Sequence, residues 1–151
     1  ELTQRLDRLF TEAADKSVPV TDLKGFFARL KARGYKLGIA SSDNENSIRQ
    51  TAIRFGFEND IDFVAGYDSG YGTKPQPGMV LGFCQAIGIS PDRVAVVGDN
   101  NHDLHMAKNA GAGLRVAVLT GTGSRESLGA DAHYCFDDIT GLEALLPERA
   151  V

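Results

Sequence analysis

The sequence lacks long hydrophobic runs, an excess of basic charge and closely spaced cysteines. Its apolar runs, such as "VAVV", are far shorter than the ~20 residues that a spanning helix needs, which excludes a membrane segment. The first ten residues, "ELTQRLDRLF", mix acidic and basic side chains with leucine, unlike a signal peptide. Sixteen Lys and Arg stand against 20 Asp and Glu, and the basic residues are scattered, which argues against nucleic acid and anionic membranes as partners. Cys84 and Cys135, without a C-x-x-C motif, predict buried reduced thiols in a cytoplasmic protein.

The length and composition of the chain are typical of one folded domain. With 151 residues, 42% hydrophobic and 24% charged, the chain can bury a substantial core. Apolar residues recur at helical spacing at the start, which predicts a helix there and separates residues 1–17 from the remainder, 18–151. The stripe consists of Leu2, Leu6, Leu9, Phe10 and Ala13.

The remainder alternates between strand and helix patterns. Short apolar runs at "YKLGIAS", "DFVAGY", "RVAVVGD", "LRVAVLTG" and "AHYCFDD" predict strands, and helical patterns of about ten residues separate the first four. Such alternation is typical of an α/β fold, a three-layer Rossmann-like parallel sheet with helices on both faces. Ligands of such sheets bind at the carboxyl ends of the strands, so the residues that follow each strand are the candidates for a site.

Three strand ends carry polar side chains. Ser41 and Ser42 follow one strand, Lys74 lies in the loop after the next, and Asp99 follows the third, with Asp103 one helical turn later. Taken singly, the serines and Asp99 fit helix caps, and Lys74 fits a solvated surface lysine. Taken together, hydroxyls, helix amides and an ammonium suit phosphate oxygens, and paired carboxylates suit Mg²⁺ bound with waters and a phosphate.

These stretches resemble the haloacid dehalogenase superfamily of phosphohydrolases, and most closely its phosphoglycolate phosphatase-like members. "YKLGIASSDN", "GTKPQPGMVLGF" and "VAVVGDNNHDLHMAKNAGAG" look like the second, third and fourth motifs of that family, in order and at suitable spacings. The last, with G-D-x-x-x-D before a helix, is the most specific. The resemblance covers about residues 20–146 and makes residues 1–17 the C-terminal part of a small helical cap.

The resemblance implies a role for each strand-end residue. Ser41 would bind the transferring phosphoryl group, assisted by Ser42, and Lys74 would stabilise the charge on it. Asp99 would ligate Mg²⁺. Asp103 would belong to the same acidic site, as a catalytic and metal-site residue that orients a metal-bound water or Lys74. The implied substrate is a small phosphorylated metabolite, hydrolysed through an aspartyl-phosphate.

The sequence departs from the family in one respect. The family's nucleophile lies in D-x-D-x-[TV], on a strand at the centre of the sheet, and no such stretch is present. We expect a core that lacks its first strand, and hence a fragment whose missing N-terminal segment supplies the aspartate. Were the chain complete, another strand would have to fill the gap, from a homodimer partner or by rearrangement, without phosphatase turnover.

Other functions stay open on sequence grounds. A non-catalytic binding or regulatory protein would retain the fold without the nucleophile. A phosphomutase or a dehalogenase is a further possibility within the enzyme class, although the acidic fourth motif suits phosphate chemistry better than dehalogenation.

Overall fold

A six-stranded parallel sheet forms the centre of the fold. The structure is a computed structural model that describes residues 7–11, 22–119 and 123–146, with backbone only for 7–11 and Ala144. The strand order is β3-β2-β1-β4-β5-β6. The strands are β1 (Asp7–Thr11), β2 (Leu37–Ala40), β3 (Phe63–Ala65), β4 (Val94–Gly98), β5 (Leu114–Val118) and β6 (Tyr134–Phe136). The predicted α/β class and Rossmann-like parallel sheet are confirmed.

Helices connect the strands and cover both faces of the sheet. They are α1 (Leu23–Ala32), α2 (Glu45–Phe55), α3 (Gly78–Ile87), α4 (Asn101–Ala110), α5 (Arg125–Gly129) and α6 (Leu142–Leu145). Asp22, Asn44 and Asn100 cap the first turns of α1, α2 and α4 with their side chains. Among the described residues, no helix has the length and apolar character needed to cross a bilayer.

Successive residues of each strand face opposite sides, which produces two main cores. One core joins buried side chains of α1, α2 and α6, such as Phe26 and Phe27, to one face of the sheet. The other joins α3 and α4 to the opposite face, with Phe83 and Met106 fully buried. Because β2 and β4 are buried along their whole length, their carboxyl ends are held rigidly.

The first and last helices are tied together by charge. The Arg29 guanidinium binds both carboxylate oxygens of Glu143, at 2.9 and 2.7 Å. Arg33 donates to the main-chain oxygens of Glu143 and Leu146, which lie at the carboxyl end of the chain. These contacts fix α6 against α1 on one side of the sheet.

The structure differs from the sequence expectation at residues 7–11. The predicted N-terminal helix is wrong there, because Asp7–Thr11 is a strand that pairs with β2 on one side and β4 on the other. In the 151-residue chain this segment takes the place of the central strand that the sequence predicts to be missing. Its physical reason is that two apolar parallel strands would otherwise expose unpaired amides and carbonyls. The other residues of 1–17 lie outside the described residues, and their assignment to a cap stays a prediction.

Candidate active site

The candidate site lies at the carboxyl edge of the sheet, where β2, β1 and β4 end side by side. Ser41 follows β2, Asp99 follows β4, and the end of β1 at Thr11 lies between these two strands. Parallel strands carry their following loops to one edge, so residues far apart in sequence converge there. The structure therefore brings the predicted residues of β2 and β4 to one edge, as their positions after strands suggested.

Ser41 is fixed in the turn between β2 and α2. It is 1% exposed, its amide donates to the Ala65 carbonyl at 3.0 Å, and its hydroxyl oxygen accepts from the Asp43 amide at 3.1 Å. Ser42, the next residue, is exposed. The first turn of α2 begins three residues later, so the turn presents a hydroxyl beside the positive end of a helix, a combination that suits an anion.

Lys74 reaches the same edge from the loop after β3. Its ammonium Nζ lies 2.6 Å from Asp103 Oδ1, and the two side chains are only 7% and 3% exposed. Removing one partner of a buried ion pair costs about 3–5 kcal/mol, because it leaves an uncompensated charge. The alternative of a solvated surface lysine is therefore wrong for Lys74.

Asp103 also holds the turn after β4. Its Oδ2 accepts from the amides of Asp99 and Asn100, each at 3.2 Å, while the Asn100 side chain caps α4. Both carboxylate oxygens of Asp103 are thus engaged, one by Lys74 and one by backbone amides. This arrangement makes Asp103 an orienting group for Lys74 and for the backbone that carries Asp99.

Asp99 is the second carboxylate of this edge. Burial, and then the charge of Asp103, raise the pKa of the Asp99 carboxyl above its ordinary value, against smaller opposing effects that include Lys74. Two carboxylates and one ammonium leave a net negative charge here. Hard oxygen donors with surplus negative charge fit Mg²⁺. Within the described ranges no three Asp, Glu, His or Cys side chains gather as a metal site, so water and phosphate would complete the coordination shell.

Hydrogen bonds join the two loops that carry Ser41 and Lys74. The Glu45 amide donates to Asp68 Oδ1 at 2.9 Å, and the Ser69 hydroxyl donates to Glu45 Oε1 at 2.7 Å. The Ser69 hydroxyl, and then the Arg49 guanidinium, lower the pKa of Glu45. Glu45 and Ser69 are supporting residues that the sequence does not reveal, since no local pattern links positions so far apart in the chain.

Comparison with known proteins identifies the family. A profile of the haloacid dehalogenase-like hydrolases matches residues 2–118. The chain belongs to this family. A phosphoglycolate phosphatase of Rhodospirillum rubrum is 34% identical to this haloacid dehalogenase-like chain over 116 residues, 75% of the chain and 46% of the relative. A pyrophosphatase PpaX of Halalkalibacterium halodurans is 33% identical over 94 residues, 60% of the chain and 41% of the relative.

Solved structures of the family share the fold. The crystal structure of a putative phosphoglycolate phosphatase from Lactobacillus delbrueckii subsp. bulgaricus superposes with a TM-score of 0.76 and 27% identity, covering 87% of this chain and 55% of that one. The chain thus spans about half the length of the relatives it matches. The predicted resemblance to phosphoglycolate phosphatase-like members of the haloacid dehalogenase superfamily is confirmed.

Proposed function

We propose that this haloacid dehalogenase-like chain forms the acidic and phosphate-binding part of a Mg²⁺-dependent phosphatase for small phosphomonoesters. The observation that carries the proposal is the buried pair of Lys74 and Asp103 beside Asp99, at the sheet edge that also presents Ser41. This edge offers a cation for phosphate oxygens, surplus negative charge for a metal ion, and a hydroxyl donor.

Each residue has one task in the proposed reaction. The Ser41 hydroxyl and the amides at the start of α2 hold the phosphoryl oxygens, with Ser42 at the exposed side. The Lys74 ammonium offsets the negative charge that develops on those oxygens, in the orientation that Asp103 gives it. Mg²⁺, when bound at Asp99, supplies further charge stabilisation and a fixed position for the phosphate.

The proposed reaction takes its nucleophile from outside these 151 residues. We propose that a preceding segment carries D-x-D-x-[TV] on a strand of its own and takes the central place that Asp7–Thr11 occupies here. Its aspartate oxygen would bond to phosphorus while the substrate alkoxide leaves and receives a proton, and water would then cleave the aspartyl-phosphate to carboxylate and phosphate. Without that segment we expect no turnover. In the complete protein, residues 1–17 would form part of a cap.

A non-catalytic binding protein is the second candidate. It is favoured by one observation: the strand between β2 and β4 ends at Thr11, without an aspartate motif. A chain arranged this way would retain the anion and cation sites but have no nucleophile to transfer the phosphoryl group.

Phosphate release decides between the two functions. The gene is expressed with its upstream reading frame, and release is measured on a panel of phosphomonoesters with Mg²⁺ and with EDTA. If the protein is a phosphatase, phosphate release depends on Mg²⁺ and falls at least about 10²-fold in Asp99→Asn. The control variant Asp60→Asn lies in the turn before β3, far from Asp99 in the sequence, and should keep the wild-type rate. Phosphate and Mg²⁺ binding without release from any substrate would support the binding protein.

A further inference from the structure

The loop that carries Lys74 is held on both sides of that residue. It runs from the end of β3 to the start of α3 and includes two glycines with positive φ, Gly70 at +91° and Gly72 at +85°. Glycines in this conformation leave a backbone easily rearranged. A lysine side chain loses about 1.5–2 kcal/mol of rotamer freedom on being fixed. A loop of this kind therefore needs anchors if it is to keep Lys74 buried on Asp103.

The anchor before Lys74 is the ring of Tyr71. It packs against Phe63 with ring centroids 5.4 Å apart, and it covers Gly82 in the middle of α3. A Cβ atom at position 82 would lie 2.5 Å from the ring atom Cε1 of Tyr71, so only glycine leaves room for the ring. The Tyr71 carbonyl oxygen likewise sits where a Cβ of Gly78 would be. The Tyr71 ring, which lies between Gly70 and Gly72 in the sequence, thus packs into the space that Gly82 leaves on the surface of α3.

The anchor after Lys74 is Asn109. Its amide Nδ2 donates to the Pro75 carbonyl at 2.9 Å, directly after the Lys74–Pro75 peptide bond. Asn109 lies in the last turn of α4, the helix whose first turn carries Asp103. One rigid helix therefore holds both the counter-ion of Lys74 and the backbone of the residue that follows it.

We propose that Tyr71 and Asn109 are positioning residues that clamp the loop on either side of Lys74 and keep its ammonium on Asp103. Tyr71 ties the loop to α3 and Asn109 ties it to α4, so the ammonium is placed relative to both helices. The catalytic consequence rests on the proposed phosphatase function, whereas the clamp itself concerns only contacts within the described residues.

Chemical labelling of lysine tests the clamp without any enzymatic activity. The 151-residue chain is treated with a limiting amount of an amine-acetylating reagent, and the labelling of each lysine is measured by peptide mass spectrometry. In the wild type Lys74 reacts slowly compared with the exposed Lys24 and Lys36. Tyr71→Ala, Gly82→Ala and Asn109→Asp each raise Lys74 labelling about tenfold, the size of effect expected from losing one aromatic contact or one hydrogen bond.

The variants are chosen to separate positioning from general loss of stability. Gly82→Ala removes no heavy atom, and the helix preference of alanine, up to about 1 kcal/mol, offsets the lost Tyr71 contact, so unfolding in urea moves little while Lys74 becomes reactive. Asn109→Asp keeps the shape of an exposed side chain, removes its donor and adds one negative charge. Two control variants should leave the rate of Lys74 labelling at the wild-type value. Tyr71→Phe keeps the ring, and Leu81→Ala changes an exposed side chain of α3, the helix that carries Gly82.

Two results would overturn the clamp. One is Lys74 labelling at the wild-type rate in Tyr71→Ala, Gly82→Ala and Asn109→Asp. The other is a parallel rise at Lys24 and Lys36, which would mean general opening of the fold.

Kinetics on the protein with its upstream segment extend the test to function. In that longer protein, Tyr71→Ala, Gly82→Ala and Asn109→Asp should each lower kcat about 10- to 100-fold and leave KM little changed. The reason is that a displaced Lys74 ammonium no longer stabilises the transition state well. A protein without phosphatase activity would contradict the proposed function, while the labelling result would still decide the clamp. An active protein with unchanged kcat in all three variants would contradict the clamp alone.

Discussion

At the scale of single residues, Asp99 and Asp103 are four positions apart and have opposite surroundings. Asp103 is compensated by the Lys74 ammonium at 2.6 Å and by two backbone amides. Asp99 is partly buried beside a like charge, and its pKa is raised. Sequence spacing alone made the two carboxylates equivalent, whereas their environments differ: Asp103 holds a lysine, and Asp99 is the proposed metal ligand.

The raised pKa of Asp99 predicts how stability depends on pH. Between the ordinary value of 3.8 and the raised value, the folded protein binds more protons at Asp99 than the unfolded chain does. The Asp99 contribution to stability therefore falls as pH rises through this window and stays low above it. We expect metal-free Asp99→Asn to be more stable than the wild type at pH 7, with the difference vanishing below the window, as measured by urea unfolding from pH 3 to 7.

Mg²⁺ provides the matched control for this effect. At ten times its dissociation constant it should stabilise the wild type by about 1.4 kcal/mol at pH 7 and leave Asp99→Asn unchanged. A variant less stable than the wild type at pH 7 without metal would contradict the assigned electrostatics of Asp99.

At the scale of elements, the start of α2 is the junction of two loops. Asp68 reaches across from the loop after β3 and accepts the Glu45 amide, while Asn44 caps the same helix from within its own chain segment by accepting from Ser47. A capping oxygen supplied by another loop couples the conformation of that loop to the stability of the helix.

Removing the Asp68 oxygen should therefore weaken the helix start. We expect Asp68→Ala to lower the free energy of unfolding by about 0.5–1 kcal/mol, because the Glu45 amide loses its acceptor. Asp68→Asn keeps an acceptor oxygen and should lose less, and Glu58→Ala, an exposed acid nearby in sequence, controls for net charge. Urea unfolding monitored by circular dichroism measures all three, and equal losses in Asp68→Asn and Asp68→Ala would argue against the cap.

The sequence predicts the elements better than their mutual contacts. The alternation of apolar runs and helical patterns identifies β2 to β6 and α1 to α4, because parallel strands and their crossover helices carry local signatures. Ser41, Lys74, Asp99 and Asp103 follow from their positions after strands. The clamp and the loop junction could not be predicted in this way, since Tyr71 and Gly82, or Asn109 and Pro75, meet only once the fold is complete.

β1 shows why a periodic pattern can mislead. Leu2, Leu6, Leu9, Phe10 and Ala13 have helical spacing, and Asp7 and Arg8 break any apolar run that would indicate a buried strand. In the fold, Asp7 and Arg8 stand in register with Val94 and Ala95 of β4. Pairing with two strands gives residues 7–11 a full ladder of hydrogen bonds on both sides. The free energy of this pairing outweighs the weaker local preference of these residues for a helix.

At the scale of the whole molecule, β1 is the strand on which the two halves of the sheet meet. On one side it pairs with β2, which leads to β3, and on the other with β4, which leads to β5 and β6. Since no other strand of the described residues joins the two halves, the sheet depends on this short segment for continuity.

A proline within β1 should therefore destabilise the fold of the 151-residue chain. We expect Leu9→Pro to lower the free energy of unfolding by about 3 kcal/mol or more, because it removes a ladder donor in a central strand. Leu9→Ala keeps the amide and should cost less. Urea unfolding compares the two, and equal stabilities of the proline and alanine variants would mean that residues 7–11 do not form the central strand.

The pairing of Asp7 with Val94 also sets the order in which the sheet can assemble during synthesis. β1, β2 and β3 leave the ribosome before β4, and at about 5–20 residues per second β1 waits several seconds for that strand. During that interval the edge of β1 that later pairs with β4 is open to pairing with any other nascent strand. Arg29 waits longer still, because its partner Glu143 follows 114 residues later in the chain. The two halves of the sheet can therefore join only after β4 has been made, and until then the open edge of β1 is exposed to incorrect pairing.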